Sequence, residues 1–162
     1  MQTASLVLKM CAYEEGCVQR VNHFLKVYGF AKAIGEGEGF PTDLLETLEV
    51  AAIVHDIGIK VSLEKYGSAA GPYQEKEGPV IAQEMLKGLG YGPGLIGRVC
   101  WLIAHHHTYD IDGLDHQALV EADFLVNIFE GEMGRATVEE ARKNIFKTKT
   151  GLQLLEGLFL RG

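Results

Sequence analysis

Apolar residues recur along this chain at three- and four-residue steps, the mark of helices that bury one face. Leu6, Val7 and Met10 share a face of Thr3–Tyr13. After a break near Glu15-Gly16, the stripe Val18, Val21, Leu25, Tyr28 and Ala31 predicts a longer helix over Val18–Ile34. The glycines and proline of Gly35–Pro41 predict a loop. Thr42 or Asp43 is the expected cap of the next helix, with Asp43 and Glu46 resembling a capping box. That helix turns increasingly apolar and ends on His55-Asp56. Ile59–Tyr73, punctuated by Gly67, Gly71 and Pro72, reads as mostly loop, positioned to serve as a lid or a substrate-facing segment.

The next helix ends near Gly88–Gly90, and Pro79 fits best in its first turn. Gly94–His107 and Leu114–Glu130 are apolar-rich helices. A capping box, Thr137-Val-Glu-Glu140, opens a helix to about Lys147, and Leu152–Leu160 is a last short one. The β-branched runs are short and lie inside helical periodicity. The pattern therefore predicts an all-α fold: a single-domain helical bundle of six to eight helices over residues 1–162, the C-terminal helices 137–160 packing on the rest.

Polar interruptions of these apolar runs are where chemistry is to be sought. In VAAIVHDIGIK, Val50–Lys60, a buried helix stops on an adjacent imidazole and carboxylate. Groups this close to a core need partners, and a divalent metal would partner both. Gly58 is expected to end the helix in a left-handed or open conformation. On the dipeptide alone, the simpler reading is a solvated helix end favoured by the helix dipole. His23 on its amphipathic helix also fits a hydrogen-bonded core histidine. Asp123, inside ALVEADFLV, would cost several kcal/mol to bury unpaired. It could be paired with Arg20 or Arg98, or exposed by helix phase. His105–His107 could be a solvated helix end. The coincidence of all four at polar interruptions of successive helices favours a metal site built from facing helices.

The pattern resembles the HD-domain superfamily of metal-dependent phosphohydrolases. The resemblance is carried by His23, His55-Asp56, IAHHH at Ile103–His107 and Asp123 within EADFLVN, and it covers about Arg20 to Phe129. It implies an all-α bundle with His23, His55, Asp56 and Asp123 as metal ligands. Members with two metals add histidines from intervening helices, which here points to His106 first, on the Val99–Ile103 face, and His105 close behind. Two departures stand out. Gln74 occupies a place where many two-metal members have histidine, which weakens the case for a dinuclear centre and leaves Glu75 or Glu77 as substitutes. Ile59 also precedes Lys60, where lysine often follows the glycine directly.

The resemblance implies hydrolysis of a phosphate ester or anhydride by metal-activated water, with Asp56 orienting the water or acting as base, and Arg20 and Lys60 holding phosphate oxygens. Mixed nitrogen and oxygen ligation suits Mn, Fe, Co, Ni or Zn better than Mg. Composition narrows the partners. The 162 residues are 47% apolar and carry a formal net charge of −7, which disfavours long nucleic acids. A small phosphorylated substrate is expected, a nucleotide first, with Tyr66 or Tyr73 of Val61–Tyr73 available to stack on a base. Cys11, Cys17 and Cys100 form no CxxC and suit reduced thiols in a cytoplasmic protein. No signal peptide and no membrane partner are expected. The oligomeric state is open, a homodimer included. The rival functions are a non-catalytic metal- or nucleotide-binding regulatory module, an interaction protein with coincidental His and Asp positions and, more remotely, di-iron oxygenase chemistry.

Overall fold

The protein's structure, a computed structural model, describes residues 2–162, so Met1 of the expected domain lies outside the described residues. The described chain is helical from end to end. In order it forms α1 (Gln2–Tyr13), α2 (Val18–Gly37), α3 (Thr42–Val54), α4 (Gly58–Tyr66), α5 (Gly71–Gly88), α6 (Pro93–His105), α7 (Leu114–Glu130), α8 (Arg135–Asn144) and α9 (Lys149–Leu155), the last running into a π-helical turn, Glu156–Leu160. Among the described residues there is no strand. None of the described helices is long and apolar enough to cross a membrane.

The eight predicted helices are present, and α4 is a ninth. α3 is the centre of the bundle because it is apolar on all sides over its second half. Thr47–Val54 are all buried, and the helix packs against α1, α2, α6 and α7. A helix without a polar face must be enclosed on every side. α7 is the second internal helix, and its buried residues run almost unbroken from Asp115 to Ile128. Phe24, Leu48, Ile53, Leu102, Leu119 and Leu125, each at most 2% exposed, fill the space between these helices. Burying each such side chain stabilises the fold by about 1.5–3 kcal/mol.

The C-terminal helices and their connection bury Val138, Ala141, Phe146 and Leu155 in this core, and a buried carboxylate of α7 helps to hold them. Glu121 of α7 is fully buried. It accepts hydrogen bonds from Gln117 Nε2 at 2.7 Å, Lys147 N at 2.6 Å, and Thr148 N at 2.9 Å and Oγ1. A buried charge is tolerated only when its lone pairs are matched in this way. Thr148 Oγ1 in turn accepts from Gly151 N at 2.9 Å and caps α9.

Several local expectations are corrected. The segment Ile59–Tyr73 is mostly helix, leaving only residues 67–70 between α4 and α5, so it is no flexible lid. α2 continues to Gly37, and the turn falls at Gly39, whose φ of 71° suits glycine. Neither Thr42 nor Asp43 caps α3, which starts after an extended Pro41. α8 begins at Arg135, ahead of the expected Thr137 box, with no side-chain cap. α5 runs through Pro79 rather than starting there. Pro79 forgoes one helical hydrogen bond, a loss offset by packing of α5 against both α4 and α6.

Gly58 is also not a helix stop. It opens α4, and it is not among the glycines with positive φ. Its role is proximity. A Cβ at Gly58 would lie 2.6 Å from the Gln74 carbonyl oxygen and 2.9 Å from Gly78 N, so only glycine lets α4 and α5 come this close.

Candidate metal centre

The residues that interrupt the apolar runs converge in space. α2 supplies His23, the bend between α3 and α4 supplies His55 and Asp56, the end of α6 supplies His106, and α7 supplies Asp123. The bend is tight, with Ile57 N donating to Val54 O and Ile59 N to Asp56 O, each at 3.0 Å. His55 and His106 are buried, and His23 and Asp123 nearly so.

Hydrogen bonds at the rear of each ring settle the orientation of the histidines. His55 Nδ1 lies 2.8 Å from the Ala52 carbonyl and His106 Nδ1 lies 2.7 Å from the Ile103 carbonyl. His23 Nδ1 lies 2.8 Å from Glu130 Oε2. A carbonyl or carboxylate only accepts, so each Nδ1 carries a proton and each ring turns its Nε2 to the centre, as a lone pair whenever the ring is neutral.

Those lone pairs face one another and the two carboxylates. His23 Nε2 and His55 Nε2 are 3.2 Å apart. Asp56 Oδ2 is 3.3 Å from both nitrogens, and Asp123 Oδ1 is 3.2 Å from His23 Nε2 and 3.4 Å from His55 Nε2. Four lone-pair donors packed edge to edge repel unless a cation sits among them. The edges have the right length for one. Ligands about 2.1 Å from a metal are roughly 3.0 Å apart along an octahedral edge and roughly 3.4 Å apart along a tetrahedral one. Asp123 Oδ1 and His106 Nε2 are also buried without a hydrogen-bond partner, a state rare for groups this polar. The residues present therefore fit a divalent cation.

Electrostatics agree. Burial disfavours charge on His23 and His55, yet the Asp123 and Asp56 carboxylates outweigh it and raise both pKa values above the ordinary 6.5. Burial likewise works to raise the pKa of Asp56 and Asp123, but the facing histidines hold both carboxyl groups below the usual range.

A second group adjoins the first. Asp56 turns its other oxygen, Oδ1, to His106 Nε2 at 3.4 Å, and His107 completes a possible three-residue cation cluster. Burial, followed by the neighbouring His106, pushes the His107 pKa down to about 4, so its ring is neutral and able to ligate. Glu75 Oε1 is 3.8 Å from His107 Nδ1. Glu77 is engaged elsewhere, by Lys65 and the Tyr66 hydroxyl at 2.7 Å each. Gln74 is buried with its amide donating to Ala69 O at 2.6 Å.

A cavity of about 390 Å³ opens onto His106, His107 and Asp123, walled by Tyr109, Phe124, Asn127, Glu130 and Met133. No lysine or arginine is among the described residues that line it.

Three expected residues lie outside the cluster. His105 turns away, with Nδ1 donating to Trp101 O at 2.7 Å and its ring stacked on Trp101 at 4.1 Å. It is the last helical residue of α6, so its ring follows the helix onto the Trp101 face. Arg20 is paired with the buried Glu14, Nε to Oε2 at 2.5 Å. Lys60 donates to the Tyr13 carbonyl at 2.9 Å and lies over the Tyr13 ring. Both cations anchor the end of α1, whose Tyr13 hydroxyl also donates to Ile57 O at 3.1 Å. Tyr66 and Tyr73 stack on each other at 4.3 Å, which occupies one face of each ring. His107 and Glu130 were not expected from sequence. Glu130 follows Asp123 by seven residues, two helical turns on the same face of α7, and that spacing could have revealed it.

The HD domain family model matches residues 20–143, a span that contains every residue of the cluster. The chain belongs to the HD domain family. No match was found among curated proteins or among solved structures. HD domains form a superfamily of metal-dependent phosphohydrolases and typically bind divalent metals. In this HD domain the centre occupies the meeting point of α2, α3, α6 and α7, with the α3–α4 bend as its floor.

Proposed function

We propose that this HD-domain protein is a phosphohydrolase of a small phosphorylated metabolite, a nucleotide first, that uses a divalent cation of the Mn, Fe, Co, Ni or Zn group. The observation that carries the reading is the ring of four ligand atoms, with edges of 3.2–3.4 Å, one member of which, Asp123, also lines a cavity. His23, His55, Asp56 and Asp123 would hold the ion. Bound there, a divalent cation supplies Lewis acidity toward a phosphoryl oxygen and lowers the pKa of water toward neutrality.

The chain's own residues have the remaining tasks. Asp56 is the only member that faces both groups, Oδ2 toward His23 and His55 and Oδ1 toward His106. Its Oδ1 is the atom to orient an attacking water and accept its proton. The His106 Nε2 lone pair, uncommitted at the cavity wall, holds the same water or a second ion. The organic part of the substrate rests against Tyr109 and Phe124, with the Asn127 amide to hydrogen-bond a ring edge.

The cavity's volume of about 390 Å³ falls in the range of small-molecule sites, which supports a small substrate. Arg20 and Lys60 are not part of this reading, because Glu14 and the Tyr13 carbonyl engage them. Substrate charge is instead met at the cation.

The test is a panel of nucleoside mono-, di- and triphosphates, cyclic nucleotides and short oligonucleotides, each assayed with each metal. Turnover of at least one mononucleotide, lost in Asp56→Ala, is expected. Silence across the panel with metal loaded would replace the proposal with a non-catalytic binding module. Cleavage of oligonucleotides alone would overturn the size argument.

A further inference from the structure

His23 is held differently from the other histidines of the centre. His55 and His106 donate their Nδ1 protons to carbonyls of their own helices, three residues back. Those acceptors are neutral peptide groups. His23 Nδ1 instead faces the Glu130 carboxylate at 2.8 Å. The other oxygen of that carboxylate, Oε1, is 2.7 Å from Lys26 Nζ. Lys26 stands three residues beyond His23 on α2, so it lies on the same side of that helix. Glu130 is the last residue of α7, the helix that also supplies Asp123. One helix thus provides both a ligand atom and the group behind a second ligand.

The arrangement has two physical consequences. An anionic acceptor makes the Nδ1–H hydrogen bond charge-assisted, roughly twice as strong as a bond to a neutral acceptor. It also draws the ring proton away and makes Nε2 a better electron-pair donor, as outer carboxylates do for metal-bound imidazoles. Lys26 fixes the carboxylate in one rotamer. Glu130 is about one-third exposed, so it contributes little to the core, and its removal need not unfold the chain.

We infer that Glu130, held by Lys26, is a positioning residue for cation binding: it aims the His23 Nε2 lone pair into the centre and raises its donor strength. The inference rests on reading the His/Asp cluster as a metal centre. It goes beyond that reading by assigning a charged group outside the ligand set the task of tuning affinity.

The experiment is a Co²⁺ titration of the metal-free protein, read by calorimetry and by the visible absorption of bound Co²⁺, for the wild type, Glu130→Ala, Glu130→Gln and Lys26→Met. Apo melting temperatures are measured alongside. Glu130→Ala is expected to weaken Co²⁺ binding about tenfold to a hundredfold and to alter the absorption band. Glu130→Gln keeps a neutral acceptor for Nδ1–H, so it restores the aim of the ring and the band but recovers the affinity only in part, the remaining deficit being the contribution of the charge. Lys26→Met, which leaves the carboxylate charged but untethered, falls between wild type and Glu130→Ala.

Two results overturn the inference. One is Glu130→Ala binding Co²⁺ within twofold of wild type with the same band. The other is weaker binding in Glu130→Ala that comes with a destabilised apo protein and is not recovered in Glu130→Gln, which would mark Glu130 as a helix-end residue only. A wild type that takes up no Co²⁺ fails the metal-centre reading itself and the inference with it, an outcome visible before any variant is compared.

Discussion

Adding one methyl group at Gly58 should separate two helices and disturb the centre two residues away. The Cβ of Gly58→Ala would lie 2.6 Å from the Gln74 carbonyl oxygen, 2.9 Å from Gly78 N and 3.1 Å from Gln74 Cα, where ordinary contact starts at 3.4 Å. All three obstacles belong to the α5 backbone, so no rotamer change relieves them. α4 and α5 must part by up to 0.8 Å, the difference between 3.4 and 2.6 Å. Overpacking of this kind costs about 1–3 kcal/mol. A domain of this size loses about 2–4 °C of melting temperature per kcal/mol. A cost of about 2 kcal/mol therefore lowers the melting temperature by about 4–8 °C.

The same displacement moves the α3–α4 bend that carries Asp56, so metal affinity should fall with stability. Gly29→Ala is the internal control. Gly29 lies inside α2 with nothing within 4 Å of a built Cβ and no positive φ. Alanine there should stabilise the protein by about 0.5–1 kcal/mol through its helix propensity. Thermal melts of the apo proteins and Co²⁺ titrations decide the matter. If both substitutions shift the melting temperature equally, in either direction, close approach is not what selects glycine at position 58.

Metal at about a hundredfold excess over its Kd should stabilise the wild type by about 2.7 kcal/mol, raising the melting temperature by about 5–11 °C; Asp123→Ala should show no such rise, and an equal rise in that variant would remove Asp123 from the ligand set. His106→Ala should weaken metal binding or turnover at least tenfold while His105→Ala leaves both within about twofold, because only the first ring faces Asp56. The reverse ranking in a metal titration would mean that the two rings exchange places. His116 is fully buried, its Nδ1 accepting from Asp112 N at 3.1 Å and its Nε2–H donating to His105 O at 2.9 Å. Burial holds its pKa below the ordinary 6.5, so below pH 6.5 the unfolded chain takes a proton that the folded one refuses. Its contribution is complete above that pH and is lost as pH falls toward the folded pKa. Denaturant melts at a series of pH values should show this loss in the wild type, and His116→Gln should flatten it.

Much of this architecture could be read from residue order because its causes are local. The helices α2, α3, α6 and α7 have apolar residues at helical spacing over three or more turns, and that pattern has no competing solution. The ligands stood out for the same reason: His55, Asp56, Asp123 and His106 interrupt or end runs that are otherwise apolar. α4 was hidden because Gly58–Tyr66 is only nine residues long, with four of them polar or charged and glycines at either side. Its helicity comes from packing on α5, not from its own pattern.

The places of Arg20 and Lys60 are not legible in the sequence, because their partners are set by tertiary structure. Lys60 meets a carbonyl 47 residues earlier in the chain, and nothing in the local sequence announces it. The direction of His107 is not legible either, because α6 ends at His105 and His106 is its cap. Past that point helical spacing no longer tells which way a side chain turns.

The centre's composition explains why a cation belongs there more than any proton does. Two carboxylates and three imidazole lone pairs share a buried space among His23, His55, Asp56, His106 and Asp123. The nearby cations in sequence are engaged elsewhere, Lys60 and Arg20 by the end of α1 and Lys26 by Glu130. Left to itself, the site neutralises its carboxylates by drawing protons onto His23 and His55 against the cost of their burial. A proton, however, can bridge only two atoms at a time, and protons on His23 and His55 leave His106 Nε2 without a partner. A divalent ion answers both carboxylate charges and several lone pairs at once, from a single position. The backbone carbonyls behind His55 and His106 keep those rings aimed inward whether or not the ion is present. The site is thus preorganised at two of its three histidines, and the third, His23, depends on Glu130.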